Sequence, residues 1–326
     1  MKRFLIKLAA FSAFHVALLA VIFGLYTKRF PPGNNYYLAG LDKSTLLQTQ
    51  ATPRLIFIGG SSMAFGVDSA FVAQRCGYHP VNMGLHLRIG FEFMLQEVEP
   101  FLRRGDVVVV SPEYDAFERY YWSDPEFVAR MVECRPRLLR ALSWRQFRGL
   151  LDKGYAHHLG RVARNALGFR AQVLEDGDES AVYRRQSFDR NGDLVAHHGL
   201  PSEVFSDIEF SYRATPASDA AIEHLNRFHA NGRRQGVRVF FSHPPHEQRA
   251  FKLSSSAISR LEATLRARLV MPMLDTPEEM AFPREYFFDT ASHLSLAGKH
   301  KRSELIAERL EIALRATNSA VPRSTR

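Results

Sequence analysis

Sulfur is scarce in this chain of 326 residues. Its two cysteines, Cys76 and Cys134, form no CxxC pair. No zinc-finger spacing exists, and one disulfide between the two or two separate core thiols both fit what is there. A P-loop and an RNP-like aromatic motif are missing as well. The net charge of +9, carried largely by arginine, therefore points to anionic surroundings such as lipid headgroups or acidic glycans. Nucleic acid is left without a supporting motif. With 46% hydrophobic and 24% charged residues, the composition excludes a disordered chain.

One long apolar run is present, and it comes first. Residues 8–26, LAAFSAFHVALLAVIFGLY, are apolar apart from Ser12 and His15. As a helix they rise roughly 28 Å, about the hydrocarbon thickness of a bilayer. Lys2, Arg3 and Lys7 precede the run and Lys28 and Arg29 follow it, a slight bias toward an inside N-terminus. A cleaved signal peptide and a buried soluble helix are the rival readings. The length of the run, with no small-x-small site before Thr27, favours an uncleaved anchor. Residues 1–29 are thus expected to be a cytoplasmic stub and a single-pass anchor, with the remaining chain in the periplasm.

Residues 30–52, opening with Pro31, Pro32 and Gly33, read as a linker. After it, LIFIGG at 55–60 is a buried strand entering a tight turn. A helix is expected from about Ser69, a second strand in VNMG at 81–84, and a helix with Phe91, Met94, Leu95, Val98 and Leu102 on one face. VVVV at 107–110 has the β-branched composition of a central parallel strand. This alternation predicts an α/β fold with a doubly wound parallel sheet. It lapses from about 117 to 215, an insertion of basic helical sequence followed by loop-like sequence. It returns with a helix over about 217–235, the strand VRVFFS at 237–242, a helix over about 254–269, the strand-like LVMPML, and a final helix carrying Leu305, Ile306, Leu310 and Leu314. The domain should span 53–316 and leave 317–326 as a disordered tail.

Two short stretches carry candidate chemistry. GGSSMAFG places serines where the first strand turns into a helix, at the sheet's carboxyl end, where open α/β sheets bind ligands. A serine hydroxyl is a poor nucleophile until a histidine removes its proton, and N–H groups at a helix start can hold an oxyanion. DTASH, just before the last helix, offers Asp289 to orient His293 as that base. Either stretch alone is as well explained by a plain turn.

Together and in this order they resemble the SGNH/GDSL hydrolase superfamily, in its membrane-anchored cell-envelope form. Gly60-Ser61-Ser62 is similar to the Gly-Asp-Ser block after the first strand, which implies Ser62 as nucleophile. Asn82-Met83-Gly84 resembles the second block, implying Gly84, with Asn82 and Gly60 nearby, at the oxyanion. FFDTASHLSLAG resembles the last block, implying His293 as base and Asp289 as its partner. The resemblance covers roughly 53–116 and 216–315 and implies a three-layer, flavodoxin-like fold. Three departures stand out: Ser61 replaces the aspartate, the Asp289–His293 spacing is one residue longer, and SPEYD puts Glu113 where the third block supplies asparagine. An ionised Glu113 cannot donate a hydrogen bond.

The function this implies is serine-dependent O-acyl (acetyl) transfer or ester hydrolysis on a cell-envelope polysaccharide, without cofactor. A membrane O-acyltransferase of the MBOAT class is the implied acyl-supplying partner. The competing expectation is an inactive scaffold that binds glycan or an assembly partner. No metal is expected. His243 and His246 in SHPPHE read as a strand-end loop, the pairs His157-His158 and His197-His198 have diverging side chains, and FDRNGD at 188–193 lacks a calcium loop's distal glutamate. The basic stretch 130–170 is either a solvated helical face or a surface against anionic lipid or acidic glycan.

Overall fold

Val107–Val110 forms the strand its β-branched composition predicts, at the centre of a four-stranded parallel sheet. β1 (Arg54–Ile58) pairs with β2 (His79–Asn82) on one side and β3 (Val107–Val110) on the other. β3 in turn pairs with β4 (Arg238–Phe241), giving the order β2-β1-β3-β4. A short parallel pair, β5 (His246–Glu247) and β6 (Ala281–Phe282), lies apart. The computed structural model describes residues 2–29, 36–117, 122–140, 142–154, 181–206, 212 and 218–319.

The α-helices among the described residues are α1 (Lys2–Arg29), α2 (Ala39–Thr49), α3 (Ser61–Gly66), α4 (Ser69–Cys76), α5 (Phe91–Val98), α6 (Pro125–Cys134), α7 (Trp144–Gly149), α8 (Asp219–Arg234), α9 (Gln248–Arg268) and α10 (Leu296–Ser319). β1 and β3 are buried along their whole length, and their residues alternate between two cores. Ile56, Ile58, Val108 and Val110 join Phe93 of α5, Leu225 of α8 and Leu261 of α9. Leu55, Phe57, Val107 and Val109 join Val72 of α4 and Ile306 and Leu310 of α10. The period of two along each strand thus delivers one apolar row to each face, and helices cover both.

At the amino ends of the strands, the Arg54 guanidinium meets the Asp106 carboxylate with both side chains at 0% exposure. Arg54 Nε donates to Asp106 Oδ1 at 3.1 Å, and Arg54 also donates to the carbonyls of Leu47 and Phe101. The pair fastens the start of β1 to the residue that precedes β3.

Several expectations need correction. Residues 30–35 lie outside the described residues, but the rest of the expected linker is structured. Tyr36–Leu38 form a 3-10 turn that leads into α2, and Tyr36, Tyr37, Leu38, Lys43 and Leu47 are buried. The Pro31, Pro32 and Gly33 signal precedes this segment, which is ordered by packing on the core. LVMPML adds only a parallel bridge between Phe241 and Met273, because Pro272 has no N–H to extend a ladder. α9 begins at Gln248, earlier than expected, with the Glu247 carboxylate accepting from the N–H groups of Arg249 and Ala250.

Of the insertion, 117, 122–140, 142–154, 181–206 and 212 are described, while all of 155–180, including His157 and His158, the shorter stretches 118–121, 141, 207–211 and 213–215, and the tail from 320 onward are not. Arg135, one of the basic residues expected on a surface, is buried against Glu97. Cys76 is a free, half-buried thiol. α1 is a single helix whose side chains from Lys2 to Leu18 are exposed. Among the described residues no helix is long and apolar enough to cross a membrane, and the side chains of 19–26, the last eight residues of the expected span, lie outside them.

Candidate active site

The carboxyl ends of β1, β3 and β4 and the turn before α10 surround a cleft of about 310 Å³, lined among others by Ser61, Arg88, Glu113, Tyr114, His246 and His293. This is the end of the sheet where strand-to-helix turns gather loops. Ser61 is the first residue of α3 and reaches the cleft. Ser62, one residue on, does not: it is completely buried and its hydroxyl has no hydrogen-bond partner. Adjacent helical residues point about 100° apart, so one position decides which serine meets the solvent. The strand ends at Ile58, so Ser61 is the third residue past its carboxyl end.

On the opposite wall, His293 Nδ1 lies 2.8 Å from Asp289 Oδ1. The Asp289–Thr290–Ala291–Ser292–His293 turn absorbs the extra residue, with the Thr290 hydroxyl accepting from the His293 N–H. Tyr183 donates to the second Asp289 oxygen and sits 3.2 Å from His293 Nδ1. The imidazole also stacks on Phe65, centroids 4.1 Å apart and planes within 5°. Burial works to raise the Asp289 pKa, but the hydrogen bonds from His293 and Tyr183 and the His293 charge outweigh it and hold the carboxyl low. An ionised Asp289 fixes the proton on Nδ1 and leaves Nε2 as the free base. The structure has no hydrogen bond between His293 and the Ser61 hydroxyl.

Glu113 is placed differently from any oxyanion donor. Its two carboxylate oxygens accept from the N–H groups of Gly60, at 3.1 Å, and Ser62, at 3.0 Å, and so brace the turn that carries Ser61. A Cβ at Gly60 would stand 2.4 Å from Glu113 Oε1, so only glycine permits this approach. Gly84 does not offer its N–H to the cleft, because that group donates to Asn82 Oδ1 at 2.8 Å. Asn82 is fully buried, and its amide donates to Asp193 Oδ1 and the Met63 carbonyl. Both residues serve the packing of α3 instead. Of the N–H groups of residues 60–62 and Gly84, only that of Ser61 is not already bonded within the protein.

Three contributors had no motif to announce them. Tyr183 comes from the loop-like part of the insertion. Arg302 of α10, fully buried, donates to the Ser62 carbonyl at 3.1 Å and to Ser111 Oγ at 2.8 Å, tying α3 to the end of β3. Lys43 of α2 is the third: its ammonium donates to the carbonyls of Asn82, at 3.0 Å, and Gly192. Burial pushes its pKa down, against the pull of Asp193. FDRNGD is the turn expected of it, with Asp189 Oδ1 accepting from the N–H groups of Asn191 and Asp193.

The SHPPHE histidines part company. His246 lines the cleft, and burial lowers its pKa to about 4. His243 is held between Asp275, 3.0 Å from Nδ1, and Glu262, 2.7 Å from Nε2. Burial disfavours its charge, yet the bonds to Asp275 and Glu262 raise its pKa from 6.5 to about 9. A pKa raised by folding stabilises the fold fully below the unfolded value, and the gain is lost as pH rises through the folded one. Urea unfolding should therefore show stability falling between 6.5 and about 9, with a shallower fall in His243→Gln. An unchanged slope in that variant would remove His243 as the cause. No group of three metal-ligating side chains occurs among the described residues. No model of a known protein family matches the chain, and no curated protein matches it either.

Proposed function

We propose that this protein is a serine-dependent acyl-transfer enzyme of the SGNH hydrolase-like kind, acting on O-acyl esters of a bacterial cell-envelope polysaccharide. α1 would hold it to the inner membrane with the cleft in the periplasm, and an MBOAT-type acyltransferase would supply the acyl group. The observation that carries the reading is Ser61 at a strand's carboxyl end, sharing a cleft with a His293–Asp289 pair at 2.8 Å. The sheet order and its covered faces suit that fold. The apolar run 8–26 and the exposed Phe4, Phe11, Phe14 and Leu18 support the anchor.

In the reaction the Ser61 oxygen bonds to the acyl carbonyl carbon as its proton passes to His293 Nε2. The departing alcohol takes that proton when its bond to the acyl carbon breaks. Water or a sugar hydroxyl then gives a proton to His293 and takes the acyl group, restoring Ser61. Asp289 and Tyr183 keep the imidazole oriented throughout.

One observation favours the second reading, a glycan-binding scaffold without turnover. The Glu113 carboxylate holds the two N–H groups on either side of Ser61, and a fixed negative charge there opposes an oxyanion. A fluorophosphonate probe separates the two, because it bonds only to an activated serine. The wild type should label, Ser61→Ala and His293→Ala should not, and Ser62→Ala should still label. A folded wild type that stays unlabelled would overturn the enzyme reading.

A further inference from the structure

A second cavity, of about 430 Å³, opens on the insertion side of the molecule. Its lining includes Trp122, Trp144, Arg145, Arg148, Glu92 and Asp152. Trp144 is 74% exposed, an unusual placement for so large an apolar surface unless something covers it. The Arg145 guanidinium lies 3.9 Å over the Trp122 ring, so the aromatic wall carries positive charge. α7 is a fixed support for these groups. Ser143 and Gln146 form a reciprocal cap at its start, and the Gln146 amide reaches Ser123 Oγ at 3.0 Å.

Glu92 supplies an independent sign of a ligand. It is only 4% exposed and lines this groove. Its Oε1 accepts from Gln96 at 3.2 Å, burial raises its pKa against the pull of Ser143 and Arg145, and its Oε2 meets no donor at hydrogen-bond distance. A buried acceptor left unpaired is costly unless a donor arrives. The groove also adjoins the catalytic cleft. Arg88 lines the cleft and pairs at 2.8 Å with Asp124, whose neighbours Ser123 and Pro125 line the groove.

We propose that this groove binds a carboxylated polysaccharide chain running out of the catalytic cleft past Arg88. The proposal rests on the glycan reading above and adds a second site and an anionic substrate class to it. Sugar rings present apolar C–H faces to Trp144, sugar hydroxyls donate to Glu92 and Asp152, and carboxylates meet Arg145 and Arg148. The mixed charge decides against a lipid surface. A face made for anionic headgroups is basic throughout, whereas two carboxylates stand in this groove beside the two guanidinium groups.

The test uses the full-length chain with Ser61→Ala to prevent turnover, and calorimetry with polygalacturonate oligosaccharides, neutral dextran and phosphatidylglycerol vesicles. Polygalacturonate should bind better than dextran. Trp144→Ala keeps every charge yet should weaken binding about tenfold or more, the scale of an aromatic hot spot, while Trp144→Phe should keep most of the affinity. Arg145→Gln with Arg148→Gln should remove the preference over dextran. Undiminished affinity in Trp144→Ala, equal binding of dextran, no polygalacturonate binding, or displacement by the vesicles would each overturn the proposal. The labelling experiment fails or succeeds separately, because it reads Ser61 and needs no glycan.

Discussion

Replacing Ser61 or His293 with alanine should each lower acyl-ester turnover by about 10⁴-fold or more, and the double variant should be scarcely worse than either. In the proposed mechanism nucleophile and base act as one device, so removing the second part of a broken pair costs little. Ser62→Ala separates the two serines. That hydroxyl is buried without a partner, so its loss should leave turnover within a few-fold of wild type and stability little changed. Asp289→Asn should lose less than His293→Ala, because Tyr183 and the Phe65 stack also position the imidazole. The measurement is single-turnover deacylation of a p-nitrophenyl ester, with circular dichroism to confirm folding. Turnover that survives Ser61→Ala and vanishes in Ser62→Ala would restore Ser62 as the nucleophile.

Asp106→Ala should be the most destabilising single change at the sheet. It leaves the Arg54 guanidinium, at 0% exposure, without its counter-charge. Breaking one side of a buried pair typically costs about 3–5 kcal/mol, a large share of the roughly 5–15 kcal/mol by which domains are stable. Arg54→Met with Asp106→Leu should recover most of that loss, since no charge is then stranded. Urea midpoints of the three proteins give the comparison. A midpoint within error of wild type for Asp106→Ala would mean that water or the Leu47 and Phe101 carbonyls already satisfy Arg54.

The strands were legible because their composition is local information. Val107–Val110 and Leu55–Ile58 carry unbroken apolar runs, and no tertiary contact is needed to see them. The Asp289–His293 partnership was legible too, since both residues sit in one short turn. What escaped notice depends on distance in the chain or on one step of helical phase. Tyr183 reaches Asp289 from a stretch with no periodicity, and Lys43 reaches Gly192 from a segment that reads as linker once Pro31, Pro32 and Gly33 have gone by. Ser61 and Ser62 are chemically alike, and only the place where α3 begins tells them apart. Asn82 and Gly84 match a motif by spacing, while their hydrogen bonds commit them to each other and to Asp193.

The burial of Tyr36–Leu38 sets a working radius for the cleft. Tyr36 donates to the Leu85 carbonyl at 2.6 Å, beside residues that line the site, so the docked body starts there. Only residues 30–35 separate it from the end of α1 at Arg29. Six residues reach about 20 Å at full extension. With α1 as the proposed anchor, so short a tether would keep the cleft close to the bilayer. Under that proposal its substrate would have to come to it, within a few nanometres of the bilayer.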